Sequence, residues 1–469
     1  MKNSVLLLFL LLFLLLALNV NGQNYKPNWE SLDQRPVPGW FEDSKFGIFI
    51  HWGVYSVPAW GPTGDSIGVY DKYAEWYWSK LVNPGKVQKY FKEYHLKTYG
   101  PNFKYQDFAP MFKAELFNPD QWASVFKESG AKYIVLTSKH HEGFTLWPSA
   151  QSWNWNSVDV GPHRDLCGDL TTAVKKQGLH MGFYYSLYEW FNPIYKSDLN
   201  SYVDNHMIPQ MKDLVTRYTP DILWTDGEWD KPSKDWKSEE FLAWLYNDSP
   251  VKQNIVVNDR WGSETRSKHG GIFTTEYGLI GDKEGIDNTV PHPWEECRGI
   301  GTSFGYNRTE DLSNYSTGKQ LIKLLVSTVS AGGNLLLDIG PASDGTIPVI
   351  MQQRLLEMGK WLKINGESIY GTRSFLKTKK DEAINPETNK TIFFTQKNKD
   401  IYVFSLDWPK GDLVLTGMNP TGRVKVELLG SDKSVSFRVS GGNMTIVRPV
   451  LTPDDNQLAY VFKLSNVLK

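Results

Sequence analysis

At 469 residues the chain exceeds one ordinary domain, and two is the natural expectation. Its 51 Lys and Arg balance 52 Asp and Glu to a formal charge of −1, with both signs well mixed, which excludes a nucleic-acid or membrane-surface binder of the usual charged kind. Two cysteines, Cys167 and Cys297, are too few for a disulfide framework, so the fold must rest on its core; whether the two pair stays open.

The chain opens with Lys2 and a run from Val5 to Leu18 that is almost all Leu and Phe, followed by small or polar residues through Asn21 and Gly22. This predicts a secretory signal over residues 1–22, too short to span a bilayer comfortably. No later stretch is apolar and long enough to span one. Five sequons agree with export: Asn247-Asp248-Ser249, Asn307-Arg308-Thr309, Asn314-Tyr315-Ser316, Asn389-Lys390-Thr391 and Asn443-Met444-Thr445. Pro250 follows the first and disfavours its use. The expected destination is the secretory pathway, ending in a lysosome or outside the cell. A sorting mark on glycans would not be visible in the sequence, and the C-terminal Ser465–Lys469 carries no retention signal.

From about residue 40 to 370, short β-rich runs alternate with amphipathic stretches. The runs predicted as strands are Phe46–Ile50, Tyr133–Thr137, His180–Tyr185, Asp221–Thr225, Ile255–Asn258, Ile272–Thr275, Ile300–Phe304 and Leu335–Ile339. Helices are predicted over Asn118–Ser129, Leu166–Gln177, Tyr202–Tyr218 and Ser316–Val329. Such alternation indicates an α/β fold with a parallel sheet, doubly wound or closed as a barrel. No glycine-rich phosphate loop follows the first strand, which weakens the dinucleotide-binding alternative. Strand after strand ends on a functional group: His51, then His140 and His141, Tyr184, Asp226, Arg260 and Glu276. In a (β/α)8 barrel those ends converge on one mouth, where active sites are built, so a (β/α)8-like TIM barrel is expected over residues 23–370.

Beyond Ile369-Tyr370-Gly371 the pattern changes. Thr391–Thr395, Ile401–Leu406, Leu413–Thr416, Val424–Leu429, Val435–Val439 and Tyr460–Leu464 recur between turn residues and predict a C-terminal antiparallel β-sandwich over residues 371–469. Few chemically active residue types cluster there, so its expected role is packing.

The most informative segment is Ile222-Leu223-Trp224-Thr225-Asp226-Gly227-Glu228-Trp229, an apolar run that ends on one acid between two tryptophans. The chain is 14% aromatic with 19 Trp, and indole faces stack well on sugar rings. A carboxylate in that setting suits glycoside hydrolysis, with Asp226 as nucleophile and a second carboxyl about 5–5.5 Å away as acid. Glu228 is too close along the chain and is expected to point elsewhere. Glu276, ending a later strand, is the first choice, and Glu295 in Pro293-Trp294-Glu295-Glu296-Cys297 is the rival, since an indole neighbour would raise its pKa.

The ordered set Phe49-Ile50-His51-Trp52-Gly53, Ala74-Glu75-Trp76-Tyr77, Lys139-His140-His141-Glu142-Gly143-Phe144, Trp224-Thr225-Asp226-Gly227-Glu228-Trp229, Asn258-Asp259-Arg260-Trp261 and Trp294-Glu295-Glu296-Cys297 resembles the retaining α-L-fucosidases of glycoside hydrolase family 29. The likeness runs from about residue 28 to the C-terminus and is strongest to the secreted or lysosomal branch. It implies a (β/α)8-like barrel with a C-terminal β-sandwich, a two-step reaction with net retention, no metal and no cofactor. Fucosylated glycoprotein or glycolipid glycans are the implied partners. By motif, Asp226 resembles the family nucleophile, and His51, Glu75, Trp76, His140, His141, Tyr184, Trp224 and Arg260 resemble the residues that grip the fucose ring. Between the neighbours Tyr184 and Tyr185, strand alternation puts only one inside. Family members differ in where the acid/base stands; some match Glu276, while Tyr277 stands where some relatives carry an Asp. Glu295 and Cys297 lie in a signature once taken to mark the active site, but glycoside cleavage needs no thiol and Cys297 is read as a packing residue.

Three other readings compete. Adjacent His140 and His141 invite a zinc site, but neighbours on a strand end are expected to point to opposite sides, and no HExxH or Cys/His spacing accompanies them. A fucose-binding protein without turnover would need neither acid. The same barrel could also hydrolyse a galactoside, which shares the hydroxyl pattern of fucose and replaces its methyl with a hydroxymethyl. The oligomeric state, a homo-oligomer included, stays open.

Overall fold

The computed structural model describes residues 24–277, 292–375, 383–385, 390–420, 422–451 and 457–467; the expected signal over residues 1–22 and the sequon at Asn389 lie outside them. Among the described residues no helix is long and apolar enough to cross a membrane. Parallel strands β1 (Phe46–Ile50), β2 (Tyr133–Lys139), β3 (His180–Ser186), β4 (Ile222–Asp226), β5 (Val256–Val257), β6 (Phe273–Glu276), β7 (Trp294–Gly299) and β8 (Asn334–Ile339) form one sheet in the order β5-β4-β3-β2-β1-β8-β7-β6. Its two ends meet where Asn258 bridges Ile272 in parallel, and the Ile272 amide donates to the Val257 carbonyl at 2.9 Å. The sheet therefore curls round on itself, as the alternating pattern predicts.

Alternation along the strands sorts side chains into two layers. Phe49 of β1, Tyr133 and Val135 of β2, Tyr184 of β3, Ile222 and Trp224 of β4, Cys297 of β7 and Leu336 of β8 pack together inside the barrel. Their neighbours Ile48, Ile50, Ile134, Leu136, Phe183, Tyr185, Leu223, Leu335 and Leu337 face outward into a second, larger core beneath the helices. The helices reach that core by one apolar stripe each: Trp122, Ala123 and Phe126 of helix Pro119–Glu128, and Leu321, Ile322, Leu325, Val326 and Val329 of helix Gly318–Ser330 are buried. Each starts with a cap legible in the sequence. Asn118 accepts from the Gln121 amide with Pro119 in the first turn, and Thr317 and Gln320 form a reciprocal capping box.

Two expectations need correction. The seventh strand is Trp294–Gly299, and the predicted strand Ile300–Phe304 is a series of bends that carries Phe304 to the barrel mouth. Two adjacent glutamates disguise the true strand: Glu295 faces the barrel interior while Glu296 lies on the opposite face, 2.6 Å from Arg298. The single helix expected over Tyr202–Tyr218 is three pieces, Leu199–Tyr202, a π-turn over Val203–Met207 and Ile208–Tyr218. Pro209 lacks an amide hydrogen and crowds the carbonyl four residues back, so the helix widens just before it.

The C-terminal strands are β9 (Arg373–Ser374), β10 (Ala383–Asn385), β11 (Lys390–Lys397), β12 (Asp400–Ser405), β13 (Leu413–Leu415), β14 (Lys425–Leu428), β15 (Phe437–Ser440), β16 (Asn443–Ile446) and β17 (Tyr460–Ser465). They form one antiparallel sheet, β10-β11-β12-β17-β14 with β9 beside β11, and a second of β13-β16-β15. Ile401, Val403, Phe462 and Leu464 face the core between the sheets, whereas Tyr402, Phe404 and Val461 on the other side of the same strands join the core of the barrel helices. Trp361 of helix Val349–Asn365 adds a hydrogen bond to the Ala459 carbonyl at 2.8 Å. Strand β16 escaped the sequence reading because it begins within Gly441-Gly442-Asn443; both glycines have positive φ and make the tight turn from β15.

Gly47 on β1 is required by packing. A Cβ there would stand 2.3 Å from the ring of Tyr133, its partner residue on β2. Gly47→Ala is therefore predicted to cost about 1–3 kcal/mol, read as a lowered midpoint in denaturant unfolding. An unchanged midpoint would show that the interior is not packed to contact at this point.

Candidate active site

Strand β4 ends on Asp226, and its terminus is clamped from β5. The Asn258 side chain accepts from the Thr225 amide and hydroxyl at 3.2 and 2.8 Å and donates to the Thr225 carbonyl at 2.7 Å. The Thr225 hydroxyl, with one proton to share, lies also 2.7 Å from the Arg260 carbonyl. One asparagine thus fixes the residues before Asp226 and Arg260 in a common frame. Gly227 follows with φ 74°, and a Cβ there would meet Tyr188 Cβ at 2.7 Å, so the chain can turn away from the site only with glycine.

Arg260 organises the acids. Its Nη1 donates to Asp226 Oδ1 at 2.9 Å, its Nη2 lies 2.6 Å from Glu276 Oε1, and its Nε donates to Thr274 Oγ1 at 2.9 Å. The guanidinium lies 4.4 Å over the Trp224 ring. Asp226 Oδ2 accepts from the Tyr184 hydroxyl at 2.8 Å. Burial alone would push the Asp226 carboxyl up, but the Arg260 guanidinium, then His141 and Arg266, hold it well below the usual carboxylate range. Asp226 is thus an ionised carboxylate at the end of an apolar strand.

A cavity of about 320 Å³ opens above this pair, at the small end of ligand pockets and suited to a single sugar ring. Of the residues singled out in the sequence, His51, Glu75, Trp76, His140, Tyr184, Trp224, Asp226, Arg260 and Glu276 line it. His51 Nδ1 is 2.6 Å from Asp338 Oδ1, its ring stacks on Phe304, and burial pushes its pKa down. Glu75 Oε2 accepts from the Gly305 amide and the Ser303 hydroxyl at 2.8 and 3.1 Å, which orients the carboxyl toward the cavity. Tyr184 rather than Tyr185 faces the mouth; Tyr185 points outward and bonds Gln210.

Three expectations come out differently. Glu295 does not line the cavity; it lies in the interior, where Trp224 Nε1 donates to it at 3.1 Å and the Tyr133 hydroxyl makes a second bond. Its burial pushes the carboxyl up to about 7. His140 and His141 do not diverge: strand β2 has already ended at Lys139, the chain turns toward Gly143, and the two rings lie 4.2 Å apart. His141 stands behind the lining, with Nε2 3.8 Å from Asp226 Oδ2 and Nδ1 bonded to Ser186 Oγ at 2.7 Å. Glu228 is buried off the cavity, as expected, and bonds Arg266 Nε at 2.6 Å. Cys167 and Cys297 are both buried free thiols, Cys297 in the cavity floor and Cys167 in the outer core. Among the described residues no group of three His, Cys, Asp or Glu side chains is placed to hold a metal ion.

Sequence reasoning missed Asp338, Arg266, Tyr73 and Phe304, whereas Trp229, the second of the two tryptophans flanking Asp226, lines the cavity. Asp338 was recoverable, because it falls near the end of an apolar strand run just as Asp226 does. Arg266 lines the mouth, 3.9 Å from Asp226, from a loop without periodic signal.

The arrangement pairs an ionised carboxylate with a second acid across a shared cation, beneath a small polar and aromatic cavity. The chain matches the family model described as alpha-L-fucosidase over residues 12–367 and the model of the alpha-L-fucosidase C-terminal domain over 385–465. It is 45% identical to the alpha-L-fucosidase of Dictyostelium discoideum over 98% of this chain and 99% of that one. To the tissue alpha-L-fucosidase of Homo sapiens it is 44% identical, covering 98% and 97%. The structures of the Thermotoga maritima alpha-fucosidase, in complex with a mechanism-based inhibitor and with fucose, superpose with TM-scores of 0.79 and 0.78 at 40% and 38% identity, covering 94% of this chain and 100% of that one.

Glu295 generates a pH prediction. Its folded-state pKa of about 7 lies above the ordinary 4.5, so between these values the folded chain keeps a proton that the unfolded chain has released. Stability must therefore fall as pH rises through this window, by about 3 kcal/mol in full from this one group. Unfolding free energies at pH 4.5 and 8 should show this loss in the wild type, reduced by that amount in Glu295→Gln. An equal pH dependence in both proteins would mean that Glu295 is ionised in the folded state.

Proposed function

Because the chain belongs to the alpha-L-fucosidase family, a family of retaining glycoside hydrolases, we propose that Asp226 is the nucleophile and Glu276 the acid/base with which it releases terminal α-L-fucose from glycoproteins or glycolipids. The observation that carries this reading is the pair of carboxylates on the two terminal nitrogens of one buried guanidinium, at the floor of a sugar-sized cavity. Asp226 attacks the anomeric carbon as Glu276 gives its proton to the leaving oxygen; water, deprotonated by Glu276, then cleaves the glycosyl ester.

His51, Glu75, His140 and Arg260 offer donors and acceptors for the fucose hydroxyls. Trp76 and Trp224 supply faces for the ring and its C5 methyl. His141 is assigned a different part: it neighbours Asp226 and backs the nucleophile. Glu295, off the cavity, is assigned none of the chemistry. The proposed organisation is a leader over residues 1–22, a catalytic barrel over 23–370 and a β-sandwich over 371–469, with the mature protein lysosomal or secreted. That export is supported by the leader pattern and the sequons.

Three variants test the assignment with an aryl α-L-fucoside. Asp226→Ala should lose about 10³-fold or more in kcat/KM while its melting temperature holds. Glu276→Ala should lose turnover of poor leaving groups and recover rate on an activated one when azide is added. Glu295→Gln should keep activity of the wild-type order. Azide rescue confined to a Glu295 variant would contradict the acid/base assignment, and equal turnover of the matching aryl galactoside would contradict the sugar.

A further inference from the structure

The structure distinguishes the sequons from one another. Asn307 is wholly buried: its Nδ2 donates to the Gly61 carbonyl at 3.2 Å, and its Oδ1 accepts from the Gly61 amide at 3.1 Å and lies 2.8 Å from the Thr309 hydroxyl. Thr309, the hydroxyl residue of the same sequon, bonds the Gly61 carbonyl at 2.6 Å. A glycan on that nitrogen would have to occupy the space of the loop that Asn307 holds.

Asn247 is only half-buried, and its exclusion rests on stereochemistry. Its Oδ1 accepts from the Tyr25 amide at 2.9 Å and its Nδ2 donates to the Tyr25 carbonyl at 2.8 Å. Donor and acceptor therefore lie on one edge of the amide, so the hydrogen used is the one cis to Oδ1. An N-linked sugar forms a secondary amide, which prefers trans geometry, and that puts the sugar carbon cis to Oδ1, in the place of that hydrogen. Glycosylation would thus displace the chain at Tyr25, while the sequon's Ser249 is buried and bonds the Leu245 carbonyl at 2.6 Å.

Asn314 and Asn443 are built the other way. Each uses only its oxygen, accepting from the Asp311 amide and from the Gly417 amide, both at 2.9 Å. Among the described residues neither Nδ2 has a protein partner, and neither residue is buried. Asn314 lies in an exposed loop, and Asn443 directly follows the exposed Gly441-Gly442 turn.

We propose that Asn314 and Asn443 carry N-linked glycans, and that Asn247 and Asn307 are instead structural amides that hold the chain at Tyr25 and Gly61. The inference rests on the secretory reading above. To separate the two, the full chain is expressed in insect cells both with its own leader and with that leader replaced by a strong secretion signal. Each product is treated with peptide N-glycanase in ¹⁸O water, which converts a glycosylated Asn to labelled Asp and adds about 3 Da. In the forced-export product most chains should be labelled at Asn314 and at Asn443, and Asn247 and Asn307 should be unlabelled. N314Q and N443Q should each lower the gel mass by one glycan, and the double variant by two. Label at Asn247 or Asn307 in protein that still cleaves the fucoside, or its absence at Asn314 or Asn443, overturns the proposal. The own-leader product reports separately: retention in the cytosol overturns the secretory reading, while the forced-export product still decides the sites.

Discussion

A guanidinium buried in a barrel is tolerable only if its charge is met. Arg260 is 1% exposed, and it persists because two carboxylates, the Thr274 hydroxyl and the face of Trp224 surround it. Removing the cation would leave the Asp226 anion uncompensated on a poorly solvated floor, and breaking a buried pair of this kind costs about 3–5 kcal/mol. The same contact keeps Asp226 ionised despite its burial. Stability of the floor and readiness of the nucleophile are thus one interaction.

The surroundings keep that interaction in register. Asn258 ties the end of β4 to the start of the loop bearing Arg260, and Thr274 beside Glu276 receives Arg260 Nε while donating to Asp259 at 2.7 Å. One layer below, Glu295 sits among Tyr133, Trp224 and Cys297 with its carboxyl raised to about 7. Two carboxyls of one barrel are therefore held in opposite states. Asp226 meets cations and is ionised; Glu295 meets aromatic neighbours and retains its proton up to near-neutral pH.

Much of the architecture was legible because strand and helix periods differ. The five apolar residues of β1 and the Trp-x-x-x-Phe stripe of helix Pro119–Glu128 state their partners directly. Reading stopped where side-chain chemistry replaced periodicity. β7 carries Glu-Glu-Cys-Arg in place of an apolar run, and only the interior bonds of Glu295 explain why a strand tolerates it. At the site, strand-end position located His51, Tyr184, Asp226 and Arg260. It could not locate Arg266, which comes from a loop, and it made Glu276 the first choice without excluding Glu295. That distinction depends on which face of adjoining strands each acid leaves from, and the misplacement of β7 hid it.

The direct test is to trap the glycosyl-enzyme with a fluorinated fucosyl reagent and sequence the labelled peptide. An adduct on Asp226, slow to turn over and released as the fluorinated fucose with the anomeric configuration of the reagent, is the predicted result. An adduct on Glu228 or Glu276, or product of inverted configuration, would contradict it.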